Sequence, residues 1–443
     1  MRRRARNPSP KPRPPPPDPT RPERLRITRE KRKTRRSTYS IPTTERRAPE
    51  VVSIDRWPHH EASDHPLKHK MANKIHKILL YTDTPLFGGA EKQMLLLAKN
   101  LNKLLFEVII VCRKIEILRP LIDEANDLKI KTYLINSKSK HSLNNLTELN
   151  KIIKTEKPDL IHVQAWNPMA GKFAILAARQ NKIPLIVTEH DPFPLNWPKS
   201  LYKKWANQKV AKMITVSHTN QKMLEEIYPE MIGRLTTVHN GIEKFAVIND
   251  GKRQQIRREI FKAGPETKII LGVGTLHERK GFKYLISAYS KIHKDYPNSR
   301  LIIAGEGPER NSLENLIKNL SLSDKVFLIG QSNDVPALMQ CSNLMVLPSL
   351  KEAFGLVLLE AMQAGLPIIA SKVGGIPEII SSPEKGLLIE PANKNELVKS
   401  LHKLLSKDDL SKRFSQKGIE HWKNFSAKEM AEKTGQIYQE ILD

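Results

Sequence analysis

The chain is poor in cysteine: Cys112 and Cys341 are the only two in 443 residues, and they stand far apart. That excludes a disulfide framework and a cysteine-based metal cluster, and it fits a reducing compartment. No apolar run approaches the roughly 18 residues of a membrane span. The basic N-terminus has no apolar stretch after it, so it does not read as a secretory signal. A cytoplasmic protein is expected. An Asp-x-Asp pair, a short metal-holding motif, is also missing. Negative charge is scarce, with 47 Asp+Glu against 74 Lys+Arg and a net charge of +27. Such an excess points to phosphate-rich partners: nucleotides, nucleic acid or an anionic membrane surface.

The location of the charge narrows the choice. Residues 1–70 hold 20 Lys+Arg and 8 Asp+Glu, a net of +12, which leaves +15 for the other 373 residues. Residues 1–72 are rich in Arg and Pro, including Pro14-Pro15-Pro16-Pro17, and too poor in apolar residues to offset the entropy of ordering. They are expected to be a disordered basic tail. Arg dominates there and Lys dominates the body, and Met71 stands just before the first strand. The tail therefore reads as an upstream extension or a start set too early, with a nucleic-acid-binding arm as the alternative. Its prolines and acids argue against an amphipathic transit peptide.

From Lys77 short continuous apolar runs alternate with helical patterns. Ile78-Leu79-Leu80-Tyr81, Val108-Ile109-Ile110-Val111, Leu160-Ile161-His162-Val163 and Leu185-Ile186-Val187-Thr188 are such runs. A second series begins at Lys268-Ile269-Ile270-Leu271 and continues through Leu301-Ile302-Ile303 and Leu344-Met345-Val346-Leu347. Strands of this kind, alternating with helices, predict parallel sheets covered on both faces. Asn240-Gly241 and the polar stretch 247–267 mark a boundary. The reading is α/β, with two Rossmann-like doubly wound domains: residues 73–245, residues 246–425, and a last helix over 426–443.

Ligands of open α/β sheets bind at the carboxyl ends of the strands, and several residues stand there. Gly88 and Gly89 follow the first strand and open a helix, whose first N–H groups suit a phosphate; a tight turn is the bland alternative. His190 ends a strand and could move a proton, with Asp191 beside it as a candidate orienting group. Gly272 and Gly274 end another, and the cations Arg279 and Lys280 follow. Gly305-Glu306-Gly307 ends a third and reads equally well as a tight turn. The most informative stretch runs from Pro348 to Pro367. It carries Glu352 in a loop, Gly355 before an apolar helix, and Glu360 among Leu358, Leu359, Ala361 and Met362. A carboxylate in that company is expected to have a polar partner, or to accept ligand hydroxyls.

These residues resemble the family 4 glycosyltransferases, which have the GT-B fold. Glu352 and Glu360, with seven residues between them, match that family's paired glutamates. Glu-Ala-Phe-Gly-Leu-Val-Leu-Leu-Glu-Ala-Met (352–362), Ala-Ser-Lys-Val-Gly-Gly-Ile-Pro-Glu-Ile (370–379), Gly-Gly-Ala-Glu (88–91) and Asn240-Gly241-Ile242 follow its pattern in order. The resemblance spans residue 75 to the end. It implies a retaining, metal-independent hexosyltransferase that uses a nucleotide-sugar donor and a saccharide or lipid-linked acceptor, with no cofactor. It implies that the Gly88–Gly89 turn and Lys280 meet the donor's diphosphate, the latter beside Gly274. Glu352 and the amides of Phe354, Gly355 and Leu356 would hold the donor sugar or phosphate. Glu360 would bind ribose, and His190 would lie near the transferred sugar. The last helix, with Trp422 and Tyr438, would return to the N-terminal domain. In one departure, Thr275 stands where the family usually has Arg, so Arg279 or the acceptor is expected to supply that charge.

UDP-sugars are the first expectation for the donor and GDP-sugars the second, with cell-surface polysaccharide, lipopolysaccharide or glycolipid synthesis as the setting. The rivals are another GT-B enzyme, such as a nucleotide-sugar epimerase or a phosphorylase, and a basic nucleic-acid or membrane-binding protein. Nucleic acid is not the expected partner of the body. Residues 199–212 are basic, with Leu201, Trp205 and Val210 as apolar anchors preceded by Phe193 and Trp197. That pattern suits peripheral contact with anionic lipid on the inner face of the cytoplasmic membrane, or an ordinary solvated helix face.

Overall fold

In a computed structural model, which describes residues 74–137, 139 and 141–443, the apolar runs become strands for the expected reason. Ile78, Leu79 and Leu80 are fully buried, each contributing roughly 1.5–3 kcal/mol of burial. The expectations for residues 1–72 lie outside the described residues. The first half runs β1 (His76–Tyr81), α1 (Gly89–Asn100), β2 (Phe106–Arg113), α2 (Arg119–Asp127), β3 (Lys131–Ile135), α3 (Asn144–Glu156), β4 (Leu160–Ala165), α4 (Lys172–Asn181), β5 (Leu185–Glu189), α5 (Trp197–Asn207), β6 (Lys212–Thr215), α6 (His218–Ile227) and β7 (Leu235–Thr237). The second half begins with α7 (Asp250–Gln255), β8 (Lys268–Val273), α8 (Phe282–Ile292), β9 (Ser299–Ala304), α9 (Arg310–Asn319), β10 (Val326–Leu328) and α10 (Val335–Gln340). It continues with β11 (Leu344–Leu347), α11 (Leu356–Gln363), β12 (Ile368–Ser371), α12 (Ile376–Ile379), β13 (Leu387–Ile389), α13 (Lys394–Ser406), α14 (Asp408–His421) and α15 (Ala427–Leu442).

Both sheets are parallel throughout. The strand orders are β3-β2-β1-β4-β5-β6-β7 and β10-β9-β8-β11-β12-β13. Each reverses direction once, between β1 and β4 and between β8 and β11. A crevice opens at such a switch point. Gly88 and Gly89 follow β1, Gly274 follows β8 and Glu352 follows β11, so the sequence-selected residues lie at the two switch points.

The chain crosses between the halves twice, side by side. Ile242 N–H donates to Phe425 O (2.9 Å) and Ala427 N–H to Ile242 O (3.0 Å). A side chain at Gly241 would strike Ser426 O at 2.5 Å. The Gln93 amide on α1 holds this crossing at both ends: its Nε2 donates to Gly241 O (2.9 Å) and its Oε1 accepts from Gly241 N (3.0 Å). The last helix, α15, then packs on the first half. Tyr438 is fully buried, meets Phe106 edge-on at 5.6 Å and bonds His162 Nδ1 at 2.6 Å. Trp422 does not join it; it packs against the core of the second half.

Candidate active site between the two sheets

The helices α1 and α11 begin opposite one another across the cleft. An added methyl at Gly89, the first residue of α1, would lie 3.5 Å from Leu356 Cδ1, at the first residue of α11. Glu91 closes the start of α1 by accepting from Gly88 N (3.0 Å) and from Thr82 Oγ1 (3.4 Å). At α11 the cap is Gly355, whose φ of 102° lies in a region that side chains avoid. Helix starts carry unpaired N–H groups and a partial positive charge, so the cleft is electropositive where the two meet.

Lys280 and Glu352 come together beside this point. Lys280 Nζ lies 2.5 Å from Glu352 Oε2, and both side chains are largely buried. Ser349 Oγ donates to the same oxygen at 3.3 Å. The stem of Lys280 runs over Gly274, where a methyl would touch Lys280 Cε at 3.4 Å. Glycine there lets the lysine lie flat along the end of β8. Glu360, on α11, lacks the first of its two expected partners, a protein group, and is left with the second, ligand hydroxyls: its carboxylate hydrogen-bonds no described protein group. Burial pushes its pKa up, and Lys92 on α1 partly offsets that. A partly buried, unpaired carboxylate facing a cation from the other half has acceptor capacity to spare. The Phe354 side chain, by contrast, is structural. It is buried and stacks on His239 at 5.4 Å.

Arg279 does not stay with Lys280. It crosses the cleft to Asp191, with Nη1 2.9 Å from Oδ2. Asp191 therefore does not orient His190. That role passes to Gln164, which the sequence reading did not select. His190 Nε2 lies 2.8 Å from Gln164 Oε1, and the Gln164 amide nitrogen lies 3.3 Å from His162 Nε2. His162 in turn bonds Thr188 Oγ1 at 2.7 Å and Tyr438. Burial holds His190 down to about 4, so its imidazole is neutral at neutral pH. With Gln164 Oε1 accepting, the proton sits on Nε2 of His190 and Nδ1 keeps its lone pair. A cavity of about 20 Å³, lined by Gln93, His162, Gln164, Thr188, His190 and Asn240 among others, has room for one water. Gly305-Glu306-Gly307 is a turn, with Glu306 paired to Arg310 at 2.5 Å.

His218, His239 and Glu378 form the one cluster with metal-ligand spacing among the described residues, their ligand atoms within 4.8 Å of one another. Glu378 is already engaged across the halves. Its oxygens accept from His218 N (2.9 Å), Thr219 N (2.9 Å), Thr219 Oγ1 (3.0 Å) and His239 Nε2 (2.8 Å). The cluster reads as a cap on α6 supplied by the second half.

Residues 87–244 match the model of "Glycosyltransferase Family 4" and residues 253–421 that of "Glycosyl transferases group 1". An uncharacterised glycosyltransferase of Methanocaldococcus jannaschii is 30% identical over 66% of this chain and 78% of its own. The chain belongs to the family 4 glycosyltransferases. The N-acetyl-alpha-D-glucosaminyl L-malate synthase of Bacillus anthracis is 31% identical over 47% of this chain. The chain spans about half the length of several relatives, 54% of the Bacillus anthracis enzyme among them. Among solved structures, Anabaena HepE in complex with UDP and glucose superposes with a TM-score of 0.72 at 20% identity, covering 82% of this chain and all of HepE. The architecture of this family member is the GT-B fold. No helix among its described residues is long and apolar enough to cross a membrane.

Proposed function

We propose that this chain moves a sugar from a nucleotide-diphosphate sugar to an acceptor hydroxyl, with retention at the anomeric carbon and without a metal. One observation carries the reading: the starts of α1 and α11 meet, Gly89 against Leu356, beside Lys280. The bond that breaks joins the anomeric carbon to a phosphate oxygen, and the negative charge collects on the diphosphate. Two helix starts and a lysine are suited to take it. As the diphosphate takes the ammonium of Lys280, Glu352 is released to accept from hydroxyls of the donor sugar, while the amide N–H groups of Phe354, Gly355 and Leu356 donate to oxygens of the donor's sugar or phosphate. Glu360 accepts from the ribose. The acceptor hydroxyl attacks on the face the diphosphate leaves, and its proton passes to the departing phosphate oxygen. His190 lies beside the transferred sugar. Arg279 reaches the diphosphate only after leaving Asp191, so at Thr275 the helix starts supply the missing charge. A methyl at Gly89 would lie only 3.5 Å from Leu356 Cδ1, so donor entry requires the halves to part about their double crossing.

UDP-sugars are the first donor class and GDP-sugars the second. The HepE complex with UDP and glucose supports a nucleotide-sugar donor. The test is calorimetric titration with UDP, GDP and ADP in EDTA, on the wild type and on Glu360→Ala. Micromolar binding of one nucleotide, lost in the variant, is expected; no binding of any of them by the wild type sinks the reading.

A second observation supports peripheral contact with anionic lipid, which suits a lipid-linked acceptor and cell-surface glycan synthesis. Trp197 and Leu201, one turn apart on α5, are 78% and 60% exposed, with Lys199 and Lys204 also exposed. Three of the expected features turn inward. Val210 is buried, Trp205 packs on the core, and Lys203 is buried against Glu189 at 2.7 Å. Trp197→Ser with Leu201→Ser should abolish flotation with phosphatidylglycerol vesicles. Equal flotation would refute the contact.

A further inference from the structure

Two cations of the first half are buried among the described residues, Lys203 and Arg113. Lys203 has Glu189 at 2.7 Å. Arg113 has no such partner. It ends β2 at the carboxyl edge of the sheet and is 9% exposed. Its guanidinium makes one long bond, Nη2 to Ser137 O at 3.4 Å, and its Nε is buried with no acceptor. No described carboxylate forms an ion pair with it. The acid two residues beyond Tyr81 on the adjacent strand end, Asp83, accepts from Trp166 Nε1 (3.3 Å) and Gly171 N (2.9 Å). A guanidinium cannot shed its proton to escape burial, as a lysine or histidine can. A fold that left it unpaired for packing alone would carry an uncompensated charge.

The geometry points to Arg113 as the anchor of an anion subsite, one that takes a phosphate or carboxylate group of the acceptor. This rests on the transfer reading above, in which the first half holds the acceptor. Its place is right for a ligand: β2 lies beside β1, whose loop leads to Gly89, and ligands of such sheets gather at the strand ends. Its chemistry is specific. The planar fork of N–H groups fits an oxyanion through two bonds at once, whereas the hydroxyls of a neutral sugar could accept from it but not offset its charge. The acceptor class is therefore an anionic molecule, a phosphate monoester or a carboxylic acid.

The test uses the full chain and two probes, glycerol 3-phosphate and succinate, with glycerol as the neutral control. Binding is followed by calorimetry and by the melting temperature. Lys280→Ala removes the donor-side cation, and Arg113→Gln removes the proposed anchor. The expected result is that one anion raises the melting temperature of the wild type and of Lys280→Ala alike. Its affinity should fall at least tenfold in Arg113→Gln, and glycerol should do nothing. The probe that binds separates phosphate from carboxylate. Without anion, Arg113→Gln should melt no lower than the wild type, because it removes an unpaired charge. An anion effect that disappears with Lys280→Ala and survives Arg113→Gln would assign binding to the donor site and overturn the subsite. So would the absence of any anion effect in the wild type, or a lower melting temperature of Arg113→Gln with the anion effect intact. Failure of the donor reading is read separately, from UDP titration of the wild type.

Discussion

Two sheets that share a strand order through six strands, the first with a seventh added, face each other, yet their switch points are furnished differently. The second half offers charge: Lys280 on Glu352, Arg279 reaching out to Asp191, and Glu360 with no partner. The first half offers a buried neutral chain, from Tyr438 through His162 and Gln164 to His190. Charged groups lining a cleft can exchange partners when a ligand arrives, because each exchange trades one ion pair for another. A buried hydrogen-bonded chain has no spare partner and holds its members still. The pairing suits a division of labour in which one half takes up a leaving anion and the other fixes the geometry of a hydroxyl.

The sharpest way to break that comparison is Lys280→Ala. Removing a cation aimed at developing charge typically costs about 10²–10³ in rate. The variant also leaves Glu352 largely buried without its ammonium partner. We expect kcat/KM for sugar transfer to fall about 10²–10³-fold, with the fold intact by circular dichroism. A loss smaller than about tenfold, roughly 1.4 kcal/mol, would move the anion-handling away from the second half.

Gln164 tests the other side. Burial sets His190 at about 4, so transfer should be insensitive to imidazole protonation from pH 5.5 to 8. Gln164→Glu places a carboxylate against the ring and should raise that value by about 1–3 units. The rate should then gain an acid limb between about pH 5 and 7, in which protonation shuts off the Nδ1 lone pair. Gln164→Leu should cost about tenfold with no new limb, the cost of an orphaned N–H. A packing role alone would leave the pH profile unchanged in both variants.

These contacts were legible to different degrees. Most of the strands were, because they are continuous apolar runs. β7, Leu235-Thr236-Thr237, was not, since three residues with one apolar member carry no pattern. Gln164 left a faint trace. His162 and Gln164 are two polar residues at strand period within an otherwise apolar run, so they share a face. The Lys280–Glu352 and Arg279–Asp191 pairs could not be read, because their partners are 72 and 88 residues apart and meet only through the topology. Helix α5 misled for a geometric reason. Residues four apart drift by about 40° around a helix, so the row from Trp197 through Leu201 to Trp205 starts in solvent and ends on the core.

Glu378 shows that the second half also lends charge to structure. Burial pushes its carboxyl up, but His239, the Thr219 and His218 amides and the Thr219 hydroxyl outweigh that and hold it at about 2. A carboxylate held below its unfolded value stabilises above the unfolded pKa, and that stability is lost as pH falls through the folded one. The contribution is up to about 3 kcal/mol. It should be complete above about pH 4.5 and fade toward pH 2. Glu378→Gln should therefore destabilise the protein by about 1–3 kcal/mol at pH 7, and urea titrations of the two proteins should converge on acidification. A difference that stays constant with pH would mean the capping hydrogen bonds act without the charge.

The smallest effect is expected where the two chemistries touch. Arg279 and Asp191 are 41% and 30% exposed at 2.9 Å, and a pair so open is worth no more than about 1 kcal/mol. Asp191→Asn should therefore barely change the melting temperature. It should instead free Arg279 to turn toward Lys280, where the diphosphate is proposed to bind. Nucleotide affinity should then rise by up to about fivefold at low ionic strength, and the gain should vanish near 1 M salt, where the Debye length is about 3 Å. Weaker nucleotide binding in Asp191→Asn would show the opposite arrangement, in which the cross-cleft pair holds the halves in the geometry that the donor needs.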